Sequence, residues 1–305
     1  MTGTLLKSAS FICLIALGYL LKHKGMFGKT DYKILSKIVL NVTLPCATIV
    51  SFASYTPDTS LLLVVFLGFA MNCLMLLLAF LASKPYPRPT RAIWLNCVPG
   101  FNIGTFALPF VQSFLSPAAL VGTCLFNTGN ALMCNGTTFA ISKNILDGSK
   151  GLNLKRIGKT LLHSVPFLTH SSLLVFSLIG LRIPQPVVTF VTPAANANAF
   201  LAMFMIGTMF DLHIEKSQLK ELGGIFALRY SIAFVAAAAF YFLLPLPLAI
   251  RQALAITALA PIGTVSTALA VNAGGDPAVA ASANSVSVLI SVPCMLGLLA
   301  VFGAV

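Results

Sequence analysis

The sequence has very few charged residues, and acidic residues are the scarcest of them. Only 9% of the 305 residues are charged, with 7 Asp and Glu against 19 Lys and Arg, whereas 58% are hydrophobic. A soluble domain carries roughly a quarter charged residues. Charges this sparse cannot cover the surface of a globule, so lipid must cover much of it. The composition therefore indicates an integral membrane protein.

The sequence also lacks the motifs of membrane-embedded enzymes. It contains no His-Glu-x-x-His stretch and no aspartate pair on facing apolar segments, and His163 and His170 share one predicted helix without a carboxylate. The seven cysteines form no Cys-x-x-Cys pair and have no His at metal-ligand spacing. We interpret the cysteines as packing residues. The sequence therefore predicts no enzymatic activity, no metal site and no cofactor.

Apolar stretches long enough to cross a bilayer follow one another along the chain. A span needs about 20 largely apolar residues, and it is helical because backbone polar groups in lipid must bond within their own segment. The candidates are 3–21, 33–54, 60–82, 92–114, 118–141, 160–180, 187–210, 221–243, 248–271 and 278–304. The first is expected to be retained, because no small-residue cleavage site is present and Lys22 follows directly. We predict an all-α membrane protein of ten transmembrane helices.

The distribution of basic residues predicts the orientation of these spans. The formal net charge of +12 lies mainly in the odd-numbered connections, which hold Lys22, Lys24, Lys29, Lys33, Lys84, Arg88, Arg91, Lys143, Lys150, Lys155, Arg156, Lys159, Lys216 and Lys220. Cytoplasmic loops carry such an excess, so this pattern indicates membrane orientation and argues against nucleic acid as a partner. We predict a multi-pass protein of the plasma membrane, or of the inner membrane of a bacterium, with both termini outside.

The longest basic connection divides the predicted spans into two halves. Residues 1–142 hold five spans, 143–159 form a basic cytoplasmic linker, and 160–305 hold the other five. An odd number of spans in each half inserts the second half upside down. That arrangement is the topology of an inverted repeat.

Spans four and nine carry matching interruptions. Residues 98–105 read Val-Pro-Gly-Phe-Asn-Ile-Gly-Thr, and residues 260–267 read Ala-Pro-Ile-Gly-Thr-Val-Ser-Thr. Proline removes a backbone donor, and glycine tolerates non-helical geometry. Freed backbone groups are tolerated in lipid where they line a cavity, and the N-terminus of a half-helix attracts anions. We predict broken crossover helices around an anion site, with simple proline kinks as the structural alternative.

At these residues the chain resembles the auxin efflux carrier family, which includes bacterial permeases and the plant PIN-type carriers. The resemblance rests on Gly18-Tyr19, on 36–45 (Ser-Lys-Ile-Val-Leu-Asn-Val-Thr-Leu-Pro), on 102–109 (Asn-Ile-Gly-Thr-Phe-Ala-Leu-Pro), and on 260–263 followed by Asp276-Pro277. Ala107 stands where the family often has Gly, and Pro99 precedes Asn102 by three residues rather than one. Without a large cytoplasmic loop, the chain looks like the bacterial permeases.

The resemblance implies a division of labour among the spans. Spans 1, 2, 6 and 7 would form a scaffold, and spans 3–5 and 8–10 would form a moving transport unit. Spans four and nine would cross near the middle of the membrane. Elevator-type alternating access and a homodimer are further properties that the resemblance implies.

Amide and hydroxyl side chains near the interruptions are the candidate substrate ligands. The resemblance makes Asn102 the first of them, with an interhelical hydrogen bond as the alternative role. Asn127 and Asn130 share one face of span five, and both roles are open for them. The full predicted set is Asn41, Pro45, Asn102, Gly104, Thr105, Asn127, Asn130, Pro261, Gly263 and Thr264. The backbone amides of Gly263 and Thr264 are better candidates than the hydroxyls of Thr264, Ser266 and Thr267.

Charged residues inside the predicted spans are almost absent. Arg229, about a third of the way into span eight, is expected to snorkel towards the interface rather than to balance an anion. Asp276 is expected to cap the last helix. Proton-coupled carriers normally need a carboxylate in mid-membrane, and none is evident. We expect transport driven by the substrate gradient and the membrane potential, with a sodium site built from carbonyls and hydroxyls as an open alternative.

These observations converge on a secondary transporter, or permease, for a small organic anion such as a carboxylate or an auxin-like acid. Its expected partners are that anion, the lipid bilayer and a second copy of the chain. A sodium-coupled organic-anion symporter of the bile-acid type is the first alternative. A membrane sensor with a transporter-like fold is the second.

Overall fold

The computed structural model describes residues 2–28, 30–54, 62–148, 154–209 and 216–303. Within these ranges the regular secondary structure is helical, apart from an isolated antiparallel bridge between Phe101 and Ile262. The all-α prediction is therefore confirmed. Of the basic residues that predict the orientation, Lys29 and Lys150 lie outside the described ranges.

The described helices follow the predicted apolar stretches, several of which are divided into two helices, and Leu154–Leu162 lies mainly within the predicted linker 143–159. In chain order they are α1 Thr2–His23, α2 Tyr32–Ala53, α3 Leu62–Ala82, α4 Arg88–Cys97, α5 Ile103–Phe114, α6 Pro117–Leu132, α7 Thr138–Asp147, α8 Leu154–Leu162, α9 Val165–Leu178, α10 Gln185–Met209, α11 Lys216–Leu243, α12 Leu248–Ala258, α13 Thr264–Asn272 and α14 Pro277–Val301. At the start of α14, the Asp276 carboxylate accepts hydrogen bonds from the amides of Ala278 and Val279 at 2.7 and 3.3 Å. The predicted cap is confirmed.

Several helices have the length and composition of membrane spans. Among the described residues, five qualify fully: α2, α3, α10, α14 and the Leu222–Leu243 part of α11. Shorter apolar helices are α5, α9, α12 and the Ala9–His23 part of α1. Large apolar side chains such as Phe190 and Leu243 are 86% and 77% exposed, which lipid tolerates and water does not. The chain is a multi-pass membrane protein.

Four of the predicted spans are interrupted by non-helical backbone, one of them at residues 163–164 near the start of the predicted span 160–180. Residues 98–102 separate α4 from α5, and residues 259–263 separate α12 from α13. These two breaks lie at the prolines and glycines that predict them. A third break separates α6 from α7, where Gly136 has a φ of 134° that favours glycine. The sequence analysis treats 118–141 as one continuous span and so misses this third break.

The helices α3 and α6 pack closely against each other through two glycines. In α3, a Cβ added to Gly68 would lie 2.1 Å from the carbonyl oxygen of Phe126 in α6. In α6, a Cβ added to Gly129 would lie 1.9 Å from the carbonyl oxygen of Val65 in α3. Small residues let backbones approach this closely in membranes, where packing drives association. This close packing brings Asn72 of α3 within hydrogen-bond distance of Asn130 of α6.

Candidate functional site

The two interrupted stretches meet inside the protein and run antiparallel to each other. The Asn102 amide donates to the Pro261 carbonyl at 2.9 Å, and the Gly263 amide lies 3.4 Å from the Gly100 carbonyl. Each stretch thus supplies partners for backbone groups that the broken helices leave open. The structure brings together the two interruptions that the sequence pairs, and we call residues 98–102 and 259–263 the crossover.

Gly100 is the residue that allows the two stretches to come this close. Its φ is +84°, a left-handed conformation that side chains rarely adopt. A Cβ at this position would also lie 2.2 Å from the Ser266 hydroxyl oxygen. Both the conformation and the available space therefore require glycine.

Arg229 does not snorkel, so that expectation is wrong. Its side chain is 1% exposed and lies against the crossover. One terminal nitrogen donates to the carbonyls of Cys97 and Val98 at 3.2 and 2.5 Å, and the other donates to those of Ala260 and Pro261 at 2.9 and 3.2 Å. Carbonyls at the end of a helix have no intrahelical partner. The guanidinium satisfies such carbonyls beyond the ends of both α4 and α12, which outweighs the advantage of reaching the interface.

Two asparagines hold the first stretch of the crossover. The Gly100 amide donates to the side-chain oxygen of Asn72 at 2.9 Å, and the Asn72 amide nitrogen donates to the Asn130 oxygen at 3.1 Å. Asn130 also pairs with the backbone of Phe101, through one bond in each direction at 3.4 Å. Sequence reasoning missed Asn72, although an amide within the apolar stretch of α3 is the signal that could have identified it.

A hydroxyl network holds the second stretch. The Ile262 amide donates to the Ser287 hydroxyl at 3.0 Å. The Tyr230 hydroxyl, next to Arg229, donates to the Ser287 carbonyl at 2.8 Å and lies 2.9 Å from the Ser291 hydroxyl. These serines were also missed, because Ser in a membrane helix usually bonds back to its own helix and gives no distinct sequence signal.

A cavity of about 310 Å³ borders the crossover. Of the predicted site residues it is lined by Asn41, Asn102, Gly104, Thr105, Asn127, Asn130, Gly263 and Thr264, and not by Pro45 or Pro261. Pro45 is buried within α2, and the Pro261 carbonyl is bound by Asn102 and Arg229. Further polar residues in the lining are Ser36, Cys134, Asn135, His163, Ser164 and Ser266. Most of the predicted ligands therefore surround one cavity.

Asn102 lines this cavity and has a buried, unused hydrogen-bond donor. The residue is 6% exposed, and its side-chain oxygen accepts from the Thr105 hydroxyl. In the part of the chain that the structure describes, its amide nitrogen has no hydrogen-bond partner. A buried donor left unpaired costs about 1–3 kcal/mol, so an acceptor in the cavity would be stabilised there.

Two helix N-termini also meet the cavity. Ile103 and Gly104 begin α5, Thr264 begins α13, and all three line it. The first amides of a helix lack intrahelical partners and carry partial positive charge, so they favour an anion. The Gly263 amide, one of the candidates from sequence, points instead towards the Gly100 carbonyl.

A larger cavity of about 750 Å³ adjoins the first one, and we call it the vestibule. The two cavities share Ser36, Thr264 and Val265 in their linings. Lys22, Lys33 and Lys37 line the vestibule, and no acidic side chain among the described residues does. The described lining of the vestibule thus carries lysines from the chain's first connection and adjoins the lining of the crossover cavity.

Comparisons with known proteins find similarity to membrane transport proteins. Residues 5–147 match a family described as membrane transport protein. This match, over a little under half of the chain, shows similarity to membrane transport proteins. The chain's resemblance to the auxin efflux carrier family is confirmed over these residues, which include the first crossover stretch.

One relative extends the comparison. An uncharacterized transporter of Methanothermobacter thermautotrophicus is 25% identical to this chain over 176 residues. The match covers 56% of this chain and 57% of the relative. The chain thus matches little more than half the length of that transporter.

Proposed function

We propose that the protein is a secondary transporter that binds a small organic anion in the crossover cavity. The observation that carries this proposal is the unpaired amide nitrogen of Asn102, which is buried beside the N-termini of α5 and α13. A carboxylate has acceptor oxygens for all three groups. The cavity volume of about 310 Å³ lies at the lower end of small-molecule sites, which favours a small substrate.

The vestibule supports a negative charge on the substrate. Its three lysines raise the local concentration of anions at the opening of the path to Asn102. A cation would instead be repelled by Lys33 and Lys37, which line the vestibule. By the positive-inside rule this side is cytoplasmic, which places both termini outside.

The composition of the cavity wall supports an elevator-type mechanism. We propose ten spans in two inverted halves, residues 1–142 and 160–305, joined by the basic linker 143–159. In this scheme α2 and α9 belong to the scaffold, whereas α5, α6 and α13 belong to the transport unit. Both groups line the cavity, through Asn41 and Phe167 on one side and Asn102, Asn127 and Thr264 on the other. A site between the two units is what alternating access requires.

We further propose a homodimer.

The crossover carbonyls favour transport without sodium over the sodium-coupled alternative. Sodium would need several converging oxygens, and the carbonyls of Cys97, Val98, Ala260 and Pro261 already bind Arg229. A resident cation thus occupies one place where four carbonyl oxygens converge in the described part of the chain. We propose that the substrate gradient and the membrane potential drive transport.

The experiment that tests this function is uptake into proteoliposomes. Purified protein is offered labelled mono- and dicarboxylates and an indole carboxylate, with sodium or choline as the external cation. We expect saturable uptake of at least one of these anions, equal in both media. Asn102→Ala should abolish uptake without lowering expression. Asn96→Ala is the matched control, because its buried amide contacts Ala92 and Ser142 away from the cavity.

Each alternative gives a different result in the same assay. Uptake that requires sodium would replace the proposal with the symporter. Binding of a carboxylate without any flux would support a membrane sensor. Unchanged uptake kinetics in Asn102→Ala would remove Asn102 from the site.

A further inference from the structure

Arg229 is a buried cation that no carboxylate faces in the part of the chain that the structure describes. Its side chain is 1% exposed, and among the described residues no Asp or Glu lies within 4.0 Å of it. The guanidinium contacts four backbone carbonyls and the ring of Phe101, whose centroid is 4.9 Å from the guanidinium carbon. Carbonyl dipoles and an aromatic face offset part of a positive charge but do not neutralise it.

We propose that Arg229 is a specificity-determining residue that makes the crossover cavity selective for anions. This inference rests on the proposed transport of an organic anion and names the source of its charge selectivity. Arg229 does not line the cavity, so it acts through its electric field and not as a ligand.

The direction of the helices explains why a cation is needed at this place. The crossover gathers the C-terminal ends of α4 and α12 on one side and the N-terminal ends of α5 and α13 on the other. A helix carries partial negative charge at its C-terminus and partial positive charge at its N-terminus. Without Arg229, the two negative ends would oppose the attraction that the two positive ends exert on an anion.

Phe101 connects Arg229 with the cavity. Its ring packs against the guanidinium, while Phe101 itself lines the cavity next to Asn102. The charge therefore lies one residue layer behind the site, in surroundings that exclude water. In such surroundings a unit charge about 10 Å away, acting through an effective dielectric constant of about 20, changes a binding constant on the order of tenfold.

A purely structural role for Arg229 is the alternative, because its hydrogen bonds also hold the crossover together. Two substitutions separate the roles. Arg229→Gln keeps an amide that can donate to carbonyls but removes the charge, whereas Arg229→Lys keeps the charge and loses the planar fork. A structural role makes both variants unstable and leaves the preference for anions unchanged.

The experiment compares a carboxylate that the wild-type protein transports with its uncharged primary amide. Binding of each to purified protein is measured by isothermal titration calorimetry. We expect Arg229→Gln to weaken binding of the carboxylate about tenfold while binding of the amide changes less than twofold. Arg229→Lys should keep the wild-type ratio of the two affinities within about threefold. Thermal unfolding in detergent reports stability separately from this ratio.

The outcomes separate this inference from the proposed function. If the wild-type protein binds and transports no anion, the proposed function fails. If the wild-type protein transports the carboxylate and folded Arg229→Gln keeps the wild-type affinity ratio, only the inference about Arg229 is wrong. Should Arg229→Gln fail to fold, Arg229→Met replaces it as the uncharged variant. A wild-type affinity ratio in folded Arg229→Met overturns the inference, and a ratio about tenfold lower supports it. A ratio that collapses in Arg229→Lys, although the charge is present, also overturns it.

Discussion

The backbone amide of Asn102 donates to the carbonyl of Pro261 at 2.9 Å, and this hydrogen bond joins the two broken stretches of the chain. Proline breaks each helix, and in lipid an unpaired backbone group costs several kcal/mol. Each break becomes tolerable because the other lies beside it. The same geometry directs α5 and α13 into the cavity, so the pairing that stabilises the fold also builds the site.

Gly100→Ala should disrupt the crossover. The substitution forces an alanine into a φ of +84° and places a Cβ 2.2 Å from the Ser266 hydroxyl oxygen. We expect a loss of about 1–3 kcal/mol in the free energy of unfolding and a loss of uptake. Thermal unfolding and proteoliposome uptake measure the two effects. Gly223→Ala is the control, because a Cβ there meets no atom within 4 Å. Equal behaviour of both variants would show that Gly100 is not required.

Asn130→Ala should destabilise the protein by about 1–3 kcal/mol. The side chain of Asn130 bonds to Asn72 and to both backbone polar groups of Phe101, so its removal leaves several buried groups unpaired. Thermal unfolding in detergent measures the loss. Asn41→Ala is the stability control, because Asn41 is exposed and donates to the Lys37 carbonyl within its own helix. A melting temperature that is the same for both variants would contradict the role of Asn130 as a centre of the network.

Neutralising the vestibule should raise the KM for a transported anion. In Lys33→Gln/Lys37→Gln the anion meets less positive charge before it reaches the crossover, so we expect a two- to tenfold higher KM at low ionic strength. The difference should shrink in about 0.5 M salt, where charges beyond a few ångströms are screened. Uptake kinetics at two salt concentrations measure it. The control is Lys84→Gln, whose ammonium lies over the Phe80 ring and does not line the vestibule. A KM that salt and substitution leave unchanged would exclude steering by these lysines.

Gln112→Leu should loosen a contact that an elevator movement has to break. The Asn198 amide donates to Gln112 at 2.6 Å, and the Thr43 hydroxyl donates to Asn198 at 2.6 Å. In the proposed scheme Thr43 and Asn198 belong to the scaffold and Gln112 belongs to the transport unit. Gln112 also donates to the Ala195 carbonyl at 3.3 Å, so the substitution removes two hydrogen bonds to α10. Each is worth about 1 kcal/mol, so turnover should rise at least several-fold if leaving this conformation limits the rate.

Turnover and hydrogen exchange of α5 and α10 are the measurements for this variant. Ser113→Ala is the matched control, because its hydroxyl bonds back to Pro109 in the same helix at 2.8 Å. Faster exchange in α5 and α10 without a change in turnover would show that the contact is structural and does not control the movement.

Much of the site could be predicted because its chemistry is local. Proline, glycine and amide side chains within 98–105 and 260–267 indicate broken helices by themselves, and Asn102, Asn127 and Asn130 do line one cavity. Asn72 and Ser287 could not be predicted, because each serves a backbone amide 28 or 25 residues away in the chain. Their role depends on which helices are neighbours, and a single sequence does not record that.

Composition and the spacing of apolar residues determined that this chain is helical and lies in a membrane, because lipid admits few charges and no unpaired backbone. The tertiary structure alone decided the place of Arg229. From sequence, a long basic side chain about a third of the way into a span is expected to extend towards the membrane interface. The four carbonyls that hold the guanidinium instead come from two helix ends more than 150 residues apart, and only folding brings those ends together.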